Sequence, residues 1–112
     1  MVRSKLGNKK TVLDGIKFDS KAEGRRYLEL KMLLNAGKIQ DLELQPEFVL
    51  QEKFKYKGKT ERAIIYRADF KYTEDGETIY EDVKGHKTEI YRLKRKLLLK
   101  KFPDINFVEV QA

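Results

Sequence analysis

The sequence predicts an α/β chain: one mixed four-stranded sheet flanked by helices. Three observations lead there. Two strand-like runs meet at Asp75-Gly76, an amphipathic helix pattern precedes them, and a second helix pattern followed by a last strand-like run closes the chain. The order is helix, three strands in a meander, helix, strand. A strand–helix–strand link at the end implies a parallel pairing with a right-handed crossover.

The elements follow in order. Residues 1–14 read as a basic, flexible arm, and residues 15–112 as a single domain. Val12 to Phe18 suggests a short extended piece. Ser20-Lys-Ala-Glu23 fits a capping box, in which a Ser side chain and a Glu three residues later satisfy each other's free amides. The helix it opens should run to about Ala36, with Gly37 as its stop. Its apolar stripe is Tyr27, Leu30, Leu33 and Leu34. One turn back from Tyr27 lies Glu23, at the head of the stripe and directed toward the sheet.

Residues 44–52 form the expected first strand, with Pro46 at its start where a missing donor does least harm. Lys53 to Lys59 reads as a basic turn around Gly58. In the central hairpin Ile64, Tyr66, Ala68, Phe70 and Tyr72 make an apolar face, opposite Ile65, Arg67, Asp69 and Lys71. Thr88 is the expected cap of a helix over 89–102, with Ile90, Leu93, Leu97 and Leu98 toward the core and a basic outer surface. Pro103 ends it, and Ile105 to Val110 is the last strand.

Composition bounds the function. The chain has 112 residues, 40% of them hydrophobic, with 6 Tyr and 6 Phe, enough for one core-bearing domain. It has no cysteine, no membrane-length apolar run and no secretory leader pattern, so the expectation is a cytoplasmic protein without disulfides or thiolate metal sites. The net charge is +7, concentrated in residues 1–12 and in 84–101, where eight Lys and Arg face one acid, Glu89. Such clustering suits a polyanion partner or a solvated surface.

The hairpin carries the chemistry. A two-residue type I′ turn at Asp75-Gly76 needs positive φ at both positions, and it sets Glu74 opposite Glu77. Asp69 then lies opposite Asp82, and Lys84 shares a face with Asp82. Like charges opposite each other destabilise a sheet, unless a cation sits between them. Carboxylate oxygens in that arrangement suit Mg²⁺ or Mn²⁺. Glu81 points to the other face with Ile79 and Val83; a bulge would exchange it with Asp82. No Ser, His or Cys constellation competes, and there is no Gly-rich phosphate loop.

This order, with an Asp on the second core strand and Asp82-Val-Lys84 on the third, resembles the PD-(D/E)XK nuclease superfamily, whose core is αβββαβ. Many members add a Glu on the first helix, where this chain has Glu23. The closest look is to small phage-encoded nucleases and Holliday-junction resolvase-like proteins, which carry a Glu followed by arginines as in Ala22-Glu23-Gly-Arg25-Arg26. The Pro of the superfamily's name is replaced here by Ala68. The resemblance implies a restriction-endonuclease-like fold and a metal-dependent DNA endonuclease selective for DNA structure.

In that reading Glu23, Asp69 and Asp82 hold Mg²⁺ or Mn²⁺, and Lys84 orients a water or stabilises developing negative charge. Lys84 paired to Asp82 is otherwise an ordinary ion pair, and Glu23 otherwise a cap. Arg25, Arg26, Lys87, Arg92, Lys94 and Lys96 are candidate phosphate contacts, and Gln45 a candidate supporting residue. His86, the one histidine, is assigned no role. The partner is DNA, branched in the resolvase-like case, and paired cuts would call for a homodimer. No membrane or small-molecule cofactor is expected. The alternatives are a non-catalytic nucleic-acid-binding module and a protein-interaction module; the latter lacks an exposed apolar pattern in the sequence.

Overall fold

The structure, a computed structural model, describes residues 10–112. Most of the expected arm therefore lies outside the described residues. Its end does not behave as an arm. Strands β1 (Thr11–Leu13) and β2 (Ile16–Phe18) form an antiparallel hairpin. Asp14 and Gly15 make its turn, with φ of +52° and +74°. The folded domain thus begins by residue 11, a correction to the expected boundary at residue 15. The hairpin seats on helix α1 (Lys21–Asn35), where Tyr27 donates its hydroxyl proton to Asp14 Oδ2 at 2.8 Å. Gly24 permits the approach, because a Cβ there would come within 3.0 Å of Leu13 Cδ1.

Helix α1 starts at the expected Ser20 cap, but only half of the capping box forms, because the Glu23 side chain is buried instead of returning to the Ser20 N–H. Ser20 Oγ accepts the Glu23 N–H at 3.1 Å, and the chain leaves the helix through Gly37 at φ +76°. Tyr27 and Leu30 are buried. Leu33 and Leu34 are partly buried against the same cluster, which includes Phe18, Ile39, Phe70 and Tyr72.

The next strands are β3 (Gln40–Leu44) and β4 (Glu47–Gln51). The expected strand over 44–52 corresponds to β4. The first strand of the central sheet is instead β3, which sequence reasoning missed. Gln45, at φ +52°, separates the two. Beyond β4 the expected basic turn is a small hairpin, β5 (Phe54–Tyr56) and β6 (Lys59–Glu61). The return run is also split, into β7 (Ile64–Arg67) and β8 (Phe70–Glu74). After the Asp75-Gly76 turn, with φ of +50° and +80°, comes β9 (Glu77–Lys84). Helix α2 (Glu89–Lys101) and strand β10 (Phe107–Gln111) complete the chain.

The sheet has four strands in the order β10-β9-β8-β3. It is mixed: β9 and β10 run parallel, while the β8–β9 and β3–β8 pairs are antiparallel. The fold is therefore the expected α/β arrangement of two helices with a four-stranded mixed sheet. The register also holds, with Glu74 opposite Glu77 and Phe70 opposite Glu81.

Beyond that last pair the strands part. β7 leaves the sheet and pairs with β4. The residues expected on one apolar face are consequently divided between two clusters. Phe70 and Tyr72 pack with α1, whereas Tyr66 and Ala68 pack with Tyr91 and Leu98 of α2. Phe48 links the second cluster to the sheet, with ring centroids 4.9 Å from Tyr80 and 5.5 Å from Phe102.

Helix α2 is capped by Thr88, whose Oγ1 accepts the Tyr91 N–H at 3.0 Å. Its inward face differs from expectation. Leu98 is buried as expected, but the other buried residue is Tyr91, while Ile90, Leu93 and Leu97 are 65%, 59% and 39% exposed. An exposed apolar stripe therefore does exist on this protein. No helix among the described residues is long and apolar enough to cross a membrane.

Candidate active site

The site forms where β7–β8 and β9 part, because separating strands leave backbone groups without ladder partners. Asp69 stands at this fork, between β7 and β8. Its N–H donates to Glu81 O and to Asp82 Oδ1, each at 3.0 Å. Asp69 Oδ2 in turn accepts the Val83 N–H at 2.7 Å. The two aspartates thus meet across a fork rather than as a ladder pair, and each commits one oxygen to the backbone. The second oxygen of Asp82 is unusual: Oδ2 is fully buried and accepts no hydrogen bond among the described residues. Lys84 Nζ lies 3.9 Å from it, too far for a hydrogen bond, and 4.4 Å from the centroid of the Tyr91 ring.

Glu23 reaches this region from the first turn of α1 and is only 6% exposed. Burial, then the negative charges of Asp69, Asp19 and Asp82, push its carboxyl up to about 8 against the pull of Lys84. Asp82 is pushed up to about 6, chiefly by burial, with Lys84 and the Asp69 N–H opposing and Glu109 adding to the rise. Asp69 is raised by burial as well, against the Val83 N–H and Lys84. The fold therefore gathers three carboxyl groups whose ionisation it disfavours, with Lys84 opposing in each case. Among the described residues no group of three His, Asp or Glu side chains is already arranged to hold a metal ion. The donor chemistry nonetheless fits a hard cation: carboxylate oxygens, one of them buried and unpartnered, in mutual repulsion.

Glu109 is a site residue that the sequence reading missed. In the parallel register it sits beside Asp82 on β10. It accepts the Tyr91 hydroxyl proton and lies 3.3 Å from Lys87. Those contacts, the Tyr91 hydroxyl first, lower its pKa. Its sequence signal is the alternation of the last strand, which becomes readable only once the pairing with β9 is set.

The cationic candidates separate clearly. Arg26 does not present itself to a ligand. Its Nε lies 2.6 Å from Glu81 Oε1 and its Nη2 3.0 Å from Oε2, where Tyr72 also donates at 2.5 Å. The expected phosphate contact at Arg26 is thus corrected to a partly buried ion pair joining α1 to β9. Glu81 lies on the face away from Asp82, as alternation required. Lys94 donates to Ile65 O at 2.9 Å. Arg25, Arg92 and Lys96 are exposed. Lys87, Arg92, Arg95 and Lys96 line a cleft of about 430 Å³ with Tyr91 and Glu109. Gln45 is exposed, and it contributes its backbone N–H, donated to Asp69 O at 2.9 Å. His86 is exposed beside the end of β9.

No curated protein matches the chain. A family model does, over residues 3–111: the chain belongs to the family described as "Protein of unknown function (DUF1064)".

Proposed function

We propose that the protein is a metal-dependent DNA endonuclease that hydrolyses phosphodiester bonds and selects DNA by structure, in the manner of Holliday-junction resolvase-like proteins. The observation that carries this reading is the buried, unpartnered Asp82 Oδ2, with Lys84 facing it and Glu23 and Asp69 close by. A cation bound there would satisfy an acceptor whose isolation otherwise costs about 1–3 kcal/mol. The resemblance of Glu23, Asp69 and Asp82-Val-Lys84 to the PD-(D/E)XK nuclease superfamily supports the same assignment.

Asp82 Oδ2, the carboxylate of Glu23 and the free oxygen of Asp69 would hold Mg²⁺ or Mn²⁺. The ion, when bound, supplies a Lewis acid that polarises the phosphate and acidifies a water. Lys84 then either orients that water or holds the charge that develops on the phosphate. The ring of Tyr91 and the carboxylate of Asp82 fix the ammonium between them. Arg25, Arg92 and Lys96, exposed on the two helices, are available to the DNA backbone. The expected setting is the cytoplasm, that of the bacterial host for a phage-encoded enzyme.

A second reading, a non-catalytic nucleic-acid-binding module, draws on the capping geometry: Asp69 and Asp82 each hold a backbone N–H at the fork without any cation. One experiment separates the two. Labelled four-way junction, flap and linear duplex DNA are incubated with Mg²⁺ or Mn²⁺ and either wild type or Asp82→Ala. Metal-dependent cutting that disappears in the variant is expected, and paired symmetric nicks on the junction would identify a resolvase. Binding without cutting on every substrate would support the module.

A further inference from the structure

Among the described residues, the hairpin of β5 and β6 is the element that no packing argument explains. Every residue from 51 to 62 is exposed. The two strands form a sheet of their own, and neither packs on any other strand or helix. The radius of gyration is 16.0 Å, whereas about 13 Å is usual for a compact chain of this length. The tip projects from the body on the β4–β7 ladder. A two-stranded hairpin without a covered face is marginal in water, so its composition should reflect something other than folding.

That composition is regular. Lys53, Phe54, Lys55, Tyr56 and Lys57 alternate cation and ring, and Lys59 and Arg62 follow on the return strand. Five cations face two carboxylates, Glu52 and Glu61. Among the described residues none of these five cations takes part in an ion pair. Phe54 and Tyr56 are 46% and 59% exposed. The register pairs Phe54 with Glu61 and Tyr56 with Lys59, so both rings lie on one face of the ribbon. Two residues of strand separate them by about 7 Å. Lys57 Nζ stands 5.4 Å from the centroid of the Tyr56 ring.

Two exposed rings on one face, with Lys59 beside Tyr56 on that face, the Lys57 ammonium over the same ring and Lys55 on the reverse of a thin ribbon, match a ligand with flat π-surfaces and a regularly charged backbone. Aromatic rings accept unpaired bases by stacking, and cations track the phosphates between them. A duplex keeps its base faces stacked inside and offers no such surface to the rings. An acidic protein surface would use the cations but not the paired rings.

We infer that the β5–β6 hairpin is a nucleic-acid-binding arm that stacks unpaired bases on Phe54 and Tyr56 while its lysines hold the adjacent phosphates. The arm would bind the unpaired segment of a flap, a junction or a single strand. The inference stands whether or not the carboxylate site cuts DNA.

The test uses the full chain in EDTA, so that cleavage plays no part. Anisotropy of a fluorescein-labelled mixed-sequence 20-nucleotide single strand and of the matching duplex is measured for three proteins. These are wild type, the double variant Phe54→Ser/Tyr56→Ser, and the triple variant Lys53→Gln/Lys57→Gln/Lys59→Gln. All five altered side chains are exposed, so the core is unchanged. The double variant should bind the single strand about tenfold or more weakly and the duplex nearly as before. The triple variant should lower the salt slope on the single strand by about two. Single-strand affinity within twofold of wild type in both variants would overturn the inference, as would an equal loss on duplex and single strand in the double variant.

Discussion

Replacing Glu23 by Gln should make the metal-free protein more stable. The reason lies in its surroundings: a carboxyl 6% exposed, facing Asp69, Asp19 and Asp82, with an ionisation pushed from 4.5 up to about 8. Between those two pH values the folded state binds a proton that the unfolded state has released, so stability falls as pH rises through this window. At pH 7 the displacement corresponds to at most about 3 kcal/mol, since a tenfold change in the ionisation constant is worth about 1.4 kcal/mol. The repulsion is shared with Asp69 and Asp82, which leaves about 1–2 kcal/mol for Glu23 alone. Gln retains the shape, and the Ser20 cap uses only the backbone N–H of residue 23. The assay is thermal melting by circular dichroism in EDTA at pH 4, 6 and 8. The variant should melt at nearly the same temperature as wild type at pH 4, and about 4–8 °C above it at pH 8. Adding Mg²⁺ should raise the melting temperature of wild type more than that of the variant. A variant that melts at or below wild type at pH 8 would refute the idea that this carboxylate is held in place against stability.

Other parts of the molecule yield sharper contrasts. Arg26→Met leaves Glu81, 1% exposed, with only the Tyr72 hydroxyl, and should cost about 3 kcal/mol in urea unfolding. Leu98→Ala, at a fully buried position, should cost about 2–5 kcal/mol. Leu93→Ala, 59% exposed, should stay within about 0.5 kcal/mol when measured at protein concentrations that keep the chain monomeric. A homodimer, which paired cuts would call for, would have an apolar face available in Ile90, Leu93 and Leu97, all exposed on one side of α2. Sedimentation of wild type beside Leu93→Glu tests that seam: a dimer that becomes a monomer is expected, and two identical monomers would remove it.

What could be read in the sequence was set by local constraints. Asp75 and Gly76 adopt positive φ for the reason a two-residue turn requires it, and one turn then determines the neighbours of Asp82. Ser20 determines the phase of α1 in the same way, which is why Glu23 points inward as expected. Where the constraint is not local, the reading failed. Strand β3 was missed, and no residue type announces the kink at Gln45 that parts it from β4; Gln at φ +52° is simply tolerated where the backbone N–H reaches Asp69 O. Glu109 becomes part of the site only through a parallel register that no turn sets, since the connection from β9 passes through the whole of α2.

Helix α2 illustrates the same competition at the level of a face. Counted by apolarity, Ile90, Leu93 and Leu97 are the better stripe. The observed face instead buries Tyr91, whose hydroxyl finds Glu109 and whose ring packs near Tyr66, at 6.2 Å between centroids. It also turns Lys94 inward enough for its ammonium to reach Ile65 O. A long cationic stem covers apolar surface almost as well as a leucine while its head remains hydrogen-bonded, so rotating the helix cost little packing. What the rotation achieves is placement: it brings the Tyr91 ring under Lys84 and the Lys87–Arg95 side beside Glu109. The orientation of α2 is thus set by the same residues that form the candidate site, and the apolar stripe that periodicity selected is left on the surface, where a second copy of the chain can meet it.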